Sequence, residues 1–118
     1  MKHQIDRRKL NVKPAHKKAL LRNQAIHLIT YGFLVSTKVR VKEVQRFVEK
    51  LITVARVGND FNSRRRAQAI LPYKQDTLLK LFTDIAPKYA QRPGGYTRVI
   101  PMGQRKSDTA TIARLEWV

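Results

Sequence analysis

The stretch VRVKEVQRFVEKLITVAR, residues 39–56, carries the clearest period in the chain. Val41, Val44, Val48, Leu51 and Ala55 recur at steps of three and four, and Phe47, Ile52 and Val54 widen that line into an apolar face, so the segment is an amphipathic helix. Its valines are weak helix formers; packing must hold it, and other elements must close over its apolar side. On the opposite side Lys42, Arg46 and Lys50 follow one another at i, i+4, where like charges repel by roughly a few tenths of a kcal/mol per pair. Either Glu43, Glu49 and water relieve that repulsion, or a polyanion lies along this face.

On the N-terminal side, Pro14 suits the first position of a helix because its missing N–H would have had no partner there. The spacing predicts a helix over 14–31, with Leu21, Ala25, Leu28 and Ile29 as its inner stripe and Gly32 as a left-handed cap. Lys13 with Lys17, and Lys18 with Arg22, are i, i+4 basic pairs at its beginning. Exposed positive charge there opposes the helix dipole at a cost of about 0.3 to 1 kcal/mol per group. A phosphate at this end would remove that cost, since helix starts offer free N–H donors to anions; an ordinary solvated basic face is the plain alternative. Residues 1–13 hold Lys2, Arg7, Arg8, Lys9 and Lys13 against the single acid Asp6 and show no period, which reads as a basic arm ordered by a partner, or as a frayed terminus.

On the C-terminal side, residues 33–37 are short and β-branched, a strand candidate, though the alternation running on to Val41 blurs where it gives way to the helix. Gly58, Asn59 and Asp60 form a turn, and a third helix over 61–71 stops before Pro72. Within it Arg64, Arg65 and Arg66 spread over about 200° of helix surface, so they cannot all face a core. They are phosphate contacts or arginines lying along an exposed helix. A fourth helix starts at Asp76 with Leu78, Leu81, Phe82 and Ile85 inward; Pro87 breaks it, and 88–91 makes a short turn. Next comes RPGGYTR, residues 92–98. Two adjacent glycines permit an anion-holding turn, Tyr96 offers a ring for base stacking, and Arg92 and Arg98 flank it with bidentate donors. A tight entry into a strand is the simpler alternative. That strand is 97–102, with Pro101 marking an edge or a bulge. After a polar loop, residues 111–118 alternate with Ala113, Leu115 and Trp117 on one side, so this hairpin should cover the helices.

The chain has 118 residues, 42% of them hydrophobic, enough for one domain, read as 14–118 behind the arm 1–13. Its 25 Lys and Arg against 8 Asp and Glu give a formal charge of +17. Such an excess opposes compaction unless matched, most often by nucleic acid phosphate, although basicity by itself also allows anionic membranes and acidic proteins. No cysteine is present, which removes disulfides, thiolate metal sites and a cysteine nucleophile. No apolar run approaches a membrane span and no signal-peptide core follows Met1, so the chain reads as soluble and unexported. His16 and His27 are separated by roughly 16 Å along one helix and cannot share a metal. No carboxylate pair, P-loop, dinucleotide glycine pattern or nucleophile elbow occurs. No metal, cofactor or small-molecule substrate is expected, and no catalysis; a small basic nuclease using His16 or His27, and a free RNA-binding regulator, are the rivals.

Together the segments resemble the large-subunit ribosomal protein seventeen family of bacteria and organelles. Met1, Lys2, His3 and Arg8, Lys9, Leu10 begin the match. It continues through HKKALLRN at 16–23, VEKLITVAR at 48–56 and LFTDIAPKYAQRPGGYTR at 81–98, then Gly103, Arg105, Asp108, Ala110 and Glu116. Gln4, Ile5 and Asp6 depart from the arm's usual residues, Val39 stands near a common proline, and Ser107 replaces a glycine. The resemblance implies an α+β domain in the order α, β, three helices, β, β, with a three-stranded mixed sheet packed on helices. It implies a structural component of the large ribosomal subunit, in the cytoplasm or an organelle, bound to large-subunit rRNA on the side where the nascent chain emerges. Large-subunit proteins twenty-two and thirty-two are implied neighbours. Residues carried into the RNA-binding set are Lys2, His3, Arg7, Arg8, Lys9, Lys13, His16, Lys17, Lys18, Arg22, Asn23, Arg64, Arg65, Arg66, Arg92, Gly94, Gly95, Tyr96, Thr97, Arg98 and Arg105.

Overall fold

The computed structural model describes residues 13–72 and 75–118. Helix α1 is Pro14–Tyr31, strand β1 Phe33–Thr37, helix α2 Lys38–Ala55, helix α3 Phe61–Ile70 and helix α4 Gln75–Lys80; strands β2, Thr97–Gln104, and β3, Thr111–Trp117, close the order. This is the expected α+β succession. The first boundary has a plain cause. Gly32 takes φ +85°, open to glycine without strain, and its N–H donates to Leu28 O at 2.8 Å, ending α1 and releasing the chain into β1.

Helix α4 departs from the expected simple stop at Pro87. After Lys80 the chain widens into a π turn over Leu81–Ile85 and then tightens into a 3-10 turn over Ala86–Tyr89. Pro87 supplies no N–H to the preceding turn, while Thr83 Oγ1 donates back to Leu79 O at 2.8 Å. Both loosen the regular ladder, and the wider turn keeps Leu81, Phe82 and Ile85 buried.

The sheet corrects one expectation. Its order is β1-β3-β2, and β3 pairs antiparallel with both neighbours, Leu34 opposite Leu115 on one side and Val99 opposite Leu115 on the other. It is therefore antiparallel throughout, not mixed. β1 and β2 run the same way, but β3 separates them, so no parallel ladder forms. β2 is an edge strand whose register slips between Pro101 and Gln104, the irregularity anticipated at the proline.

The core lies between one face of this sheet and the helices. Val41, Val44, Val48, Leu51, Ile52 and Ala55 of α2 are buried against Leu34, Ala113 and Leu115 from the sheet and Ala25, Leu28 and Ile29 from α1. Burying a side chain such as Leu51 contributes roughly 1.5 to 3 kcal/mol, which is how a valine-rich helix is kept helical. With its apolar stripe committed inward, α2 turns Arg46 and Lys50 toward the beginning of α1.

Candidate nucleic-acid interface

Helix α1 starts without acidic support. Lys13 occupies the cap position in extended conformation, φ −62° and ψ 148°, with no side-chain cap bond, and no acid falls in the first turn. His16, Lys18 and Asn23 are exposed. Arg22 is half-buried, and its Nε donates to Ile70 O at 3.0 Å, tying α1 to the end of α3. Beside this end, α2 completes a groove of about 320 Å³ lined by Lys17, Lys18, Arg46 and Lys50 together with Leu21 and Phe47. Glu43, only 5% exposed, sits 3.9 Å from both Lys17 Nζ and Arg46 Nη1. The two basic clusters recognised separately in the sequence are thus one surface.

On α3, Asp60 caps the helix by accepting from Ser63 N–H at 2.7 Å. That hydrogen bond, first of all, holds the Asp60 carboxyl below the usual carboxylate range, with Arg66 and Arg64 adding attraction. Arg64, Arg65 and Arg66 are all exposed. Arg64 Nε donates to Asp60 O at 3.3 Å and the Arg65 guanidinium lies 5.9 Å from the centre of the Phe61 ring. The hollow between α3 and α4, about 370 Å³, is lined by Arg64 but also by Asp76, Asn59, Gln68 and Gln75. It lacks the cationic bias of the α1–α2 groove.

The RPGGYTR segment is built inward. Gly95 takes φ +63°, and Arg92 Nε donates to Gly94 O at 3.0 Å. The N–H groups of Tyr96 and Thr97 both donate to the Glu49 carboxylate, at 3.2 and 3.0 Å, as does Thr97 Oγ1 at 2.7 Å. An anion does occupy this part of the turn, but it is the chain's own glutamate. Arg56 adds a second tie, donating to Tyr96 Oη at 3.2 Å and to Ala90 O at 3.1 Å. The Tyr96 side chain is 1% exposed and packs edge-on to Tyr89 at 5.4 Å. The base-stacking role expected of Tyr96 therefore does not fit this conformation, nor does direct RNA contact by Thr97, whose donors are spent and which is buried. Both residues are drawn inward because the two N–H groups at the entry to β2 require an acceptor and the Tyr96 ring packs against Tyr89 in the core.

The remaining arginines of the expected set are partly engaged. Arg98 Nη2 lies 2.8 Å from Glu116 Oε2, and Arg114 Nε lies 3.1 Å from Glu116 Oε1. These contacts, the Arg98 hydrogen bond foremost, depress the Glu116 carboxyl. Arg105 forms a fork with Asp108 in the hairpin loop, where Ala110 N–H also donates to Asp108 and is the main reason its carboxyl is depressed. Ser107 needs no glycine here, because the left-handed residue of this loop is Thr109, at φ 55°. Lys2, His3, Arg7, Arg8 and Lys9 lie outside the described residues, so the expected arm does too.

Sequence reasoning left Glu49 and Arg56 out of the site, although they set the loop. Glu49 was visible only as an acid near a basic row, and its partners are 47 and 48 residues away. Among the described residues no group of three or more His, Asp or Glu could hold a metal ion, and no helix is long and apolar enough to cross a membrane.

Residues 20–118 match the ribosomal protein L17 family. The chain is 48% identical over its whole length, and over the relative's whole length, to large ribosomal subunit protein bL17 of Helicobacter pylori strain J99. It is equally 48% identical, again with full coverage of both chains, to the bL17 protein of Helicobacter acinonychis. With bL17 of Borrelia turicatae it shares 46% identity over all of this chain and 94% of the relative. A family match over residues 20–118 together with near-half identity over the whole chain decides the family: the chain belongs to ribosomal protein L17, the bL17 proteins of the large ribosomal subunit.

Proposed function

We propose that this protein acts as a scaffold for large-subunit rRNA in the bacterial cytoplasm, with cations from several elements neutralising phosphates of separate RNA segments and holding them together. The observation that carries this reading is the division of labour among its charges. Most of the acids serve internal joints: Glu43 with Lys17 and Arg46, Glu49 in the diglycine turn, Asp60 as a cap, Asp108 and Glu116 with arginines of the hairpin. A surplus of +17 is then left to be matched from outside. Lys18, Arg65, Arg66 and Arg92 present it from the start of α1, from α3 and from the loop before β2. Donors rich in Arg and Lys, with Tyr96 withdrawn from stacking, suit recognition of RNA backbone and shape more than of base identity.

The basic arm, with Lys2, His3, Arg7, Arg8 and Lys9, adds cations for the same RNA. The location is the nascent-chain exit side, and large-subunit proteins twenty-two and thirty-two are its neighbours there. If about eight phosphates are contacted, affinity for structured rRNA falls with a log–log salt slope of roughly −6 to −7. A flat salt titration would sink the scaffold. In high magnesium the protein must co-sediment stoichiometrically with the large subunit. Sedimentation apart from it would favour a free regulator, and cleavage of labelled RNA by the purified chain would favour a nuclease.

A further inference from the structure

We propose that the groove between α1 and α2 takes up a single unpaired nucleotide of the bound RNA, the base over Phe47 and Leu21 and the flanking phosphates on Lys17, Lys18, Arg46 and Lys50. The inference rests on the scaffold reading and adds to it a specific pocket and a class of RNA structure. Size comes first. A volume of about 320 Å³ lies at the low end of pockets that accept small molecules, about 300 to 1,000 Å³. It is far too small for a duplex but of the order of one nucleotide.

Chemistry comes second. Leu21 and Phe47 are half-buried and packed against the core, so the groove has an apolar floor that includes one aromatic ring. Four cations from two helices surround that floor, and one acid, Glu43, stands among them. Glu43 is buried between Lys17 and Arg46 at 3.9 Å from each, close enough to hold those two side chains beside the groove while three positive charges remain in excess. A purely polar groove would suit a phosphate, and a purely apolar one an aliphatic side chain. A ring and a leucine edged by cations match a base joined to its phosphates, because stacking on a π-face tolerates any base while the backbone charge is neutralised alongside. An acidic peptide would satisfy the cations but leave the ring without a partner.

The same geometry bears on one pair of the repulsive row on α2. Arg46 and Lys50 stand one turn apart, and a phosphate between them and Lys17 converts that repulsion into a shared contact.

The experiment compares two short RNA hairpins of the same length with the full-length protein, one carrying a fluorescent adenine analogue as a single bulged nucleotide and one carrying it paired. The bulged hairpin is expected to bind about tenfold more tightly, within the range of one base–aromatic stack, with quenching of the analogue. Phe47→Leu keeps an aliphatic side chain against the core and should erase the roughly tenfold preference for the bulged hairpin. Phe47→Tyr, which keeps the ring, should retain the preference, so a poorly folding leucine variant does not decide the matter. Lys50→Gln should weaken both hairpins. Equal affinity for the two hairpins, an unperturbed analogue at saturation, or a preference that survives Phe47→Leu overturns the assignment and leaves the scaffold standing. Failure to bind either hairpin at low salt overturns the scaffold itself.

Discussion

The α1–α2 groove and the diglycine turn both stand out as basic, phosphate-like features, yet they use their charges in opposite directions. In the groove the buried Glu43 holds Lys17 and Arg46 from beneath, and four cations against that one acid leave the surface positive. In the turn an acid reaches into the loop from α2, takes the N–H groups of Tyr96 and Thr97, and draws the most sequence-conspicuous aromatic residue into the core. A basic motif therefore need not be a contact. What decides is whether the fold's own acids match its donors or leave cations in excess.

The sharpest way to break that contrast is Glu49→Ala. It leaves the N–H groups of Tyr96 and Thr97 without their acceptor, and urea unfolding should show a loss of about 1 to 3 kcal/mol, with Glu49→Gln intermediate. A variant as stable as wild type would mean that the turn is not held from within. Next in size, Lys18→Gln with Lys50→Gln, both exposed in the groove, should cut affinity for structured RNA by roughly tenfold and flatten the salt slope by about 1 to 2 units, with no change in thermal midpoint. Adding Arg22→Gln should lower stability too, because the bond from Arg22 Nε to Ile70 O is lost. A smaller effect is expected from Tyr96→Phe, which removes only the hydroxyl accepting from Arg56. About 0.5 to 1.5 kcal/mol of stability should go, and RNA affinity measured on folded protein should not move.

Acid should affect the joints rather than the groove's cations. Asp60, Asp108 and Glu116 all have folded carboxyls below their ordinary values. Their contribution to stability is therefore fully present above the ordinary carboxylate range and is lost as pH falls through the lowered values. Urea midpoints should hold from neutral pH to about pH 5 and drop below about pH 4, less so in Asp108→Asn. The smallest change is expected at Ser107→Gly, within about 0.5 kcal/mol, since Ser107 does not occupy the left-handed position in its loop.

Much of this fold can be read locally. Pro14 and Gly32 mark boundaries through their own backbone chemistry, and α1 begins and ends, and β1 begins, where that chemistry says; the junction of β1 with α2, blurred by alternation running on to Val41, falls after Thr37. The hairpin of β2 and β3 was equally accessible, because alternation and the proline defect act within a few residues. What could not be read was pairing at a distance. Nothing in residues 33–37 states that β3, and not β2, lies beside them, which is why the expected mixed sheet gives way to an antiparallel one. The site divides along the same line. The cations of α1 and α3 were visible because exposed charge has a local signature, and their surface placement follows. The inward commitment of Tyr96 and Thr97 depends on Glu49, nearly half the chain away, and no spacing rule announces it.

The strand order carries a temporal consequence. Both outer strands lean on β3, which comes last of the three in the chain. During synthesis, β1 and β2 have no edge to join until that final segment emerges. Until then, Leu34 and the inner side of α2 remain without their cover from Ala113 and Leu115, a long-range closure of the kind that folds slowly and leaves sticky surface exposed meanwhile. A strongly cationic polypeptide in that half-made state would repel its own copies, which gives the nascent protein a safeguard against clumping before its architecture is complete.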